Sequence, residues 1–167
     1  MRPSSLAWLL LPLGALVLDW GSKAWILAAL KPFESRTIIP GFFNLRLGYN
    51  PGAIFGTLSG ASPQVRNVVF TLAGIAALGY FGWEFLKDGT GRIQRVALGL
   101  ILGGAMGNGL DRLRHGSVVD FLDFEFWGWH YWTFNIADSC IVCGAILLGI
   151  GLLAHGRKRQ AAQGDRA

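Results

Sequence analysis

Ionisable and amide side chains interrupt the apolar sequence of this chain at only a few places. Asp19 and Lys23 stand four apart, Asn108 and Asp111 three apart with Arg112 next, and Asn135 and Asp138 three apart. Asp120 lies between the last two groups. On a helix, residues three or four apart share a face, so each pair presents its polar groups together. Two carboxyl groups held close cannot easily both ionise; they share a proton and offer an acid and a base at once. The base activates a water and the acid protonates a substrate carbonyl, which is aspartic peptidase chemistry and needs no cofactor. Residue types alone do not choose which of Asp19, Asp111, Asp120 and Asp138 would pair. Each group also has a structural use: Asp19–Lys23 as a supporting ion pair, Asn135 as a helix N-cap, Asp111–Arg112 as a tie between a helix end and a loop.

Other chemistries find less material. His115, His130 and His155 lack helical ligand spacing, so no metal site is expected. Ser22, Ser59, Ser62, Ser117 and Ser139 show no G-x-S-x-G nucleophile motif. Cys140 and Cys143 form a C-x-x-C inside an apolar run, but a membrane thiol–disulfide relay needs a second cysteine pair, and the chain has only these two cysteines. A transporter would put polar groups at the membrane midplane, whereas the inner halves of the apolar stretches here are uniformly apolar.

The elements that must position these groups are membrane helices. The chain has 167 residues, fitting a single domain over 1–167, and is 52% hydrophobic with 15% charged residues. Soluble domains carry about 25% charge. Four apolar stretches, at 6–30, 65–86, 93–110 and 134–153, each approach the ~20 residues that cross a bilayer as a helix. The first continues through Asp19 and Lys23 to Leu30, which reads as a retained span, not a cleaved signal. Gly99, Gly103 and Gly107, four apart, allow close helix approach in the third.

Four spans put both ends on one side. Lys87, Arg92 and Arg95 in the short second connection, with Arg2 and the tail residues Arg157, Lys158, Arg159 and Arg166, mark that side as cytoplasmic. Residues 156–167 are expected to be a flexible cytoplasmic tail. The net charge of +5 sits at segment ends, so it speaks for topology and lipid headgroups and not for nucleic acid. On the outer side, Phe43–Asn50 alternates apolar and polar residues as a half-buried strand does. Phe121, Phe124, Phe126, Trp127, Trp129, Tyr131 and Trp132 read as an interfacial aromatic loop. Asp123 and Glu125 are expected to face solvent or headgroups. The fold class is therefore an all-α membrane protein with four transmembrane helices, a small β-sheet and an aromatic loop on the outer face. In that topology Asp19/Lys23, Asn108/Asp111/Arg112 and Asn135/Asp138 reach one depth near the outer surface, with Asp120 in the loop between spans three and four.

Five motifs in order then resemble the lipoprotein signal peptidase (signal peptidase II) family over nearly the whole chain. They are Asp19-Trp20-Gly21-Ser22-Lys23, Asn50-Pro51-Gly52-Ala53-Ile54-Phe55, Gly104-Ala105-Met106-Gly107-Asn108-Gly109-Leu110-Asp111-Arg112, Val118-Val119-Asp120-Phe121 and Phe134-Asn135-Ile136-Ala137-Asp138. The resemblance implies Asp120 and Asp138 as the catalytic pair. It implies that Asn50, Gly52, Asn108, Arg112 and Asn135 line or brace the substrate cleft, with Asp19, Lys23 and Asp111 as supporting polar residues. It implies diacylglyceryl-modified prolipoproteins as substrates, cut just before the lipidated cysteine at the periplasmic face of the bacterial inner membrane. No metal or cofactor is implied, membrane lipids are the surroundings, and a monomer suffices. Pro51 departs from the small or polar residues usual in the family; it biases Asn50 towards an extended conformation.

Overall fold

The computed structural model of the chain describes residues 6–52 and 60–164, with side chains described as far as Ala154. A single 3-10 turn, Ala7–Leu9, runs into α1 (Leu10–Ala29). Then come β1 (Ser35–Ile39), β2 (Phe43–Asn50), α2 (Pro63–Leu86), α3 (Arg92–His115), β3 (Val118–Phe126), β4 (Trp129–His130) and α4 (Ile136–Gly164). α4 thus continues as backbone helix through much of the segment expected as a tail. Ala53, Ile54 and Phe55 of the Asn50 motif, Ser59, and the terminal Arg2 and Arg166 lie outside the described residues.

Local chemistry sets the helix ends. Ser62 caps α2 by accepting the Val65 N–H at 3.3 Å, and Pro63 takes the first helical position, where its missing N–H costs nothing. Gly116 ends α3 in the left-handed region at φ 68° and returns its N–H to the Arg112 carbonyl at 3.0 Å. Arg112, Arg114 and His115 occupy that last turn, where cations complement the helix dipole.

Among the described residues, three helical segments are long and apolar enough to cross a membrane: Ala7–Ala29, Pro63–Leu86 and Ile136–Ala154. They turn large apolar side chains outward, among them Val17 and Leu18 on α1, Leu72 and Ile75 on α2, and Ile146 and Ile150 on α4. α3 is different, with Ala97, Leu98, Ile101, Leu102, Asn108 and Asp111 all buried. It packs against α1, α2 and α4, so its composition answers to helices more than to lipid.

Glycines bring these helices close. A Cβ at Gly99 would meet Leu11 Cδ2 at 2.7 Å, one at Gly103 would meet the Pro12 carbonyl at 2.7 Å, and one at Gly107 would strike the Asp19 carboxylate. The 99/103/107 row therefore faces α1. On the α4 side a Cβ at Gly104 would run into the Ala137 carbonyl, and one at Gly144 would lie 2.6 Å from the Ala97 carbonyl.

The four strands form one antiparallel sheet in the order β1-β2-β3-β4. Ile26 of α1 and Leu30, the residue that ends it, pack with Leu47 of β2 and Val119 and Phe121 of β3, fixing the sheet to the end of α1. Each such buried side chain contributes about 1.5–3 kcal/mol relative to exposure. β2 covers the expected strand. The expected aromatic loop is a correction: much of it folds as β3 and β4, joined at Trp127 and Gly128, both with positive φ. That geometry suits a two-residue hairpin turn. Asp120 consequently lies on a strand and not in a loop, because β2 supplies β3 with a ladder that a local reading of the sequence does not reveal.

Gly103→Val forces a branched side chain against the Pro12 backbone and should cost about 1–3 kcal/mol, read as a lower thermal midpoint in detergent. Gly109→Ala, with open space around the new Cβ, should leave the midpoint unchanged.

Candidate active site

The site is built around the start of α4. Asn135 is its N-cap: Asn135 Oδ1 accepts the Asp138 N–H at 2.9 Å, and Asp138 Oδ2 accepts the Asn135 N–H at 3.3 Å. This reciprocal pair is a capping box with Asp138 at the third helical position. Because Oδ1 faces the helix, Asn135 Nδ2 must face away. It shares its two hydrogens among Asp120 Oδ1 at 2.7 Å, the Val119 carbonyl at 3.1 Å and Asn108 Oδ1 at 3.1 Å. Asn135 is fully buried. One residue thus touches the carboxylates of both Asp120 and Asp138.

The backbone brings β3 to the same point. Phe134, just before Asn135, bridges to Leu122: its carbonyl accepts N–H groups from Phe121 at 3.0 Å and Leu122 at 2.8 Å, and its own N–H donates to the Leu122 carbonyl at 3.1 Å. Asp120 is thereby held beside the head of α4.

A second amide completes the cage around Asp120. Asn50 Nδ2 donates to Asp120 Oδ2 at 3.0 Å, and Asn50 Oδ1 accepts the Gly52 N–H at 2.9 Å. Gly52 has φ 94°, open to glycine at little cost, and its Cα lies against the Phe70 ring. Pro51 therefore sits in a tight turn that aims Asn50 at Asp120. Asp138 Oδ1 takes its donor from Asn108 Nδ2 at 2.7 Å. Burial pushes the Asp120 carboxyl up to about 7, the Asp138 charge adds to the rise, and the two amide donors and Lys23 oppose it.

Below this layer Lys23 lies buried with its ammonium 2.7 Å from Asp19 Oδ2, 2.8 Å from Asp111 Oδ2 and 3.2 Å from Asn108 Oδ1. The i, i+4 pairing of Asp19 with Lys23 is present, and Asp111 joins it from α3. Arg112 donates to the Asn108 carbonyl at 3.3 Å and stacks over Phe70, 5.7 Å from the ring centroid. Asp138, Asn108, Arg112 and Phe70 line a cavity of about 660 Å³ between α2, α3 and α4 whose remaining walls are mostly apolar. All ten residues singled out from the sequence therefore fall into one connected cluster. An acid that keeps its proton to about pH 7, set beside a second carboxylate that lines an apolar cleft, can share with it the work of activating a water and protonating a carbonyl.

Sequence reasoning missed Phe70, an ordinary apolar residue of α2 until the fold sets it against Gly52 and Arg112. It also misplaced Asp123, which is buried at 1% exposure and not solvated. Asp123 pairs with His130 Nδ1 at 3.0 Å, Asn44 Nδ2 donates to Glu125 at 3.4 Å, and Thr37 donates to Asn44 Oδ1 at 2.8 Å. Cross-strand register lines these polar residues up, with Asn44 opposite both Thr37 and Asp123. Among the described residues no cluster of three or more His, Cys, Asp or Glu side chains is arranged to hold a metal ion. Cys140 and Cys143 are free thiols on α4.

Asn135→Ala removes the cap and leaves buried acceptors short of a donor; a stability loss of about 1–3 kcal/mol is expected in thermal unfolding. Asn50→Ala removes a donor that favours ionised Asp120. The Asp120 titration should then move upward from about 7, measurable by ¹³C-carboxyl NMR.

The chain is similar to known proteins over most of its length. A family model described as signal peptidase (SPase) II matches residues 11–154. A lipoprotein signal peptidase of Burkholderia vietnamiensis is 46% identical over 143 residues, 84% of each chain. One from Xylella fastidiosa is 44% identical over 157 residues, covering 92% of this chain and 90% of its own. One from Neisseria meningitidis is 41% identical over 150 residues, 90% of each. A solved bacterial membrane enzyme superimposes with a TM-score of 0.77 at 34% identity, covering 92% of this chain and 90% of that one. With a family model spanning most of its length and relatives this similar over nearly all of theirs, the chain belongs to the signal peptidase II family.

Proposed function

We propose that this chain is a membrane aspartyl endopeptidase that removes the signal peptide from diacylglyceryl-modified prolipoproteins, cutting immediately before the lipidated cysteine. The observation that carries the reading is that Asn135 touches both Asp120 and Asp138, the latter lining an apolar cleft, in a chain of the signal peptidase II family. Asp120 begins with the proton and Asp138 without it. A water between them attacks the scissile carbonyl carbon, giving its proton to Asp138 while Asp120 protonates the carbonyl oxygen. In the second step Asp138 passes its proton to the leaving amide nitrogen, the C–N bond breaks, and Asp120 recovers a proton from the collapsing diol. Asn50, Asn108 and Asn135 hold the carboxylates, Gly52 leaves room for the Phe70 ring of the cleft, and Arg112 forms part of the cleft's polar wall.

Membrane geometry supports the same reading. A substrate anchored by acyl chains leaves the bilayer at about 0.8 kcal/mol per CH₂, so lateral entry into an apolar cleft is the cheaper route. α3 has 24 residues, about 36 Å of helix, enough to cross as a fourth span shielded by the other three. Arg95 stacks over Trp8, 5.9 Å from the ring centroid, which sets the start of α1 beside the start of α3. Lys87, Arg92 and Arg95 make that end cytoplasmic, with both termini there and the site near the periplasmic surface of the inner membrane. The catalytic groups all come from one chain, so a monomer suffices.

The test is cleavage of a diacylglyceryl-modified prolipoprotein by purified protein in detergent, measured as loss of the signal peptide on a gel. Asp120→Asn and Asp138→Asn should each lower the rate by about 10²–10⁴-fold, while the Cys140→Ala/Cys143→Ala double variant cleaves normally. Activity should decline as the pH rises through about 7, where Asp120 gives up its proton. A folded wild type that leaves the substrate whole would sink the reading.

A further inference from the structure

The two carboxylates assigned above as the reacting pair stand on different elements, Asp120 on β3 and Asp138 on α4, and their separation has to be held from outside. The residue immediately before each is pinned through its backbone. The Val119 N–H donates to Asp111 Oδ2 at 3.0 Å, and the Ala137 N–H donates to Asp19 Oδ1 at 2.9 Å. Asp111 and Asp19 are the two anions on the Lys23 ammonium, at 2.8 and 2.7 Å. The third ammonium hydrogen goes to Asn108 Oδ1 at 3.2 Å, and Asn108 Nδ2 donates to Asp138 Oδ1 at 2.7 Å. A lysine ammonium has three donors and no acceptor, so all three are used, and Asn108 can only present its oxygen to Lys23 and its NH₂ to Asp138. Three paths thus lead from one buried nitrogen to the reacting carboxylates.

We propose that Lys23 is the positioning residue of the reaction. Through Asp111 and Asp19 it fixes the backbone just before Asp120 and just before Asp138, and through Asn108 it fixes the donor on Asp138. The proposal rests on the peptidase reading. Lys23 acts in two ways that separate it from a mere packing element. It sets geometry, and a misplacement of about 1 Å can cost 10²-fold in rate. It also supplies charge. The charged groups around Asp120 are Asp138 from α4, Lys23 with its partner Asp19 from α1, and Arg112 and Asp111 from α3. Removing the ammonium takes away a cation that favours ionised Asp120, so Asp120 then holds its proton to higher pH. Removing the Asp111 charge acts in the opposite sense, while an asparagine there still offers an oxygen to the Val119 N–H.

The experiment measures kcat, KM and the pH dependence of kcat with the same lipid-modified substrate for wild type, Lys23→Met and Asp111→Asn, each checked for helical content and thermal unfolding in detergent. Lys23→Met should lose about 100-fold in kcat with KM within about threefold, and its alkaline limb should lie at higher pH. In Asp111→Asn the limb should lie at lower pH. If Lys23→Met does not fold, the limb of Asp111→Asn decides. Folded variants with wild-type kcat overturn the proposal. So does a loss of kcat with both alkaline limbs at the wild-type pH, which is the signature of a purely structural role. A wild type that cuts nothing overturns the peptidase reading and this proposal with it.

Discussion

A helix that begins inside packed protein leaves N–H groups without intrahelical partners in a place where water is scarce. In α4 those groups are met by Asn135 Oδ1 at Asp138 and by Asp19 at Ala137. The rest of the site grows from that requirement. Satisfying the helix with its oxygen, Asn135 has only its NH₂ to spare, and the NH₂ gathers Asp120, the Val119 carbonyl and Asn108. Satisfying the helix from α1, Asp19 becomes a buried anion and needs Lys23. A buried charge without a partner is costly, so each added charge recruits the next.

This network fits only because α3 approaches α1 and α4 closely. Gly107 lies against the Asp19 carboxylate and Gly104 against the Ala137 carbonyl, one turn from the polar residues they admit. The same helix therefore supplies contact surface along most of its length and Asn108, Asp111 and Arg112 at one end. Its middle position excuses it from the strong hydrophobicity that its three neighbours show to their surroundings.

The sheet plays a matching part on the other side of Asp120. Val119 and Phe121 anchor β3 to α1 through Ile26, Leu30 and Leu47. Further along, Phe124 meets Phe42, Phe43 and Phe134, stacking on the last at 5.8 Å between centroids. The Phe134 ring contact and its backbone bridge act together, locking β3 to the residue before the N-cap. Asp123 and His130 tie β4 to the same strand.

The sequence by itself determined the features that depend on local periodicity. Long apolar runs mark the membrane-crossing helices, the alternation of Phe43–Asn50 marks β2, and four-residue spacing pairs Asp19 with Lys23 and sets Gly99, Gly103 and Gly107 on one face. The gathering of the polar groups at one end was legible too, because a charge in an apolar run has few tolerable destinations. Tertiary structure decided the rest. Whether Asp120 meets Asp138 depends on pairing β3 with β2, whose residues lie some 70 positions earlier, as Asn50 opposite Val118 shows. Phe70 became part of the cleft only through its contact with Gly52 and Arg112, and Asp123 became buried only through the register that sets Asn44 opposite it. Register between distant strands and contact between distant helices leave no periodic trace in the chain, because the packing of surfaces fixes them and the order of neighbouring residues does not.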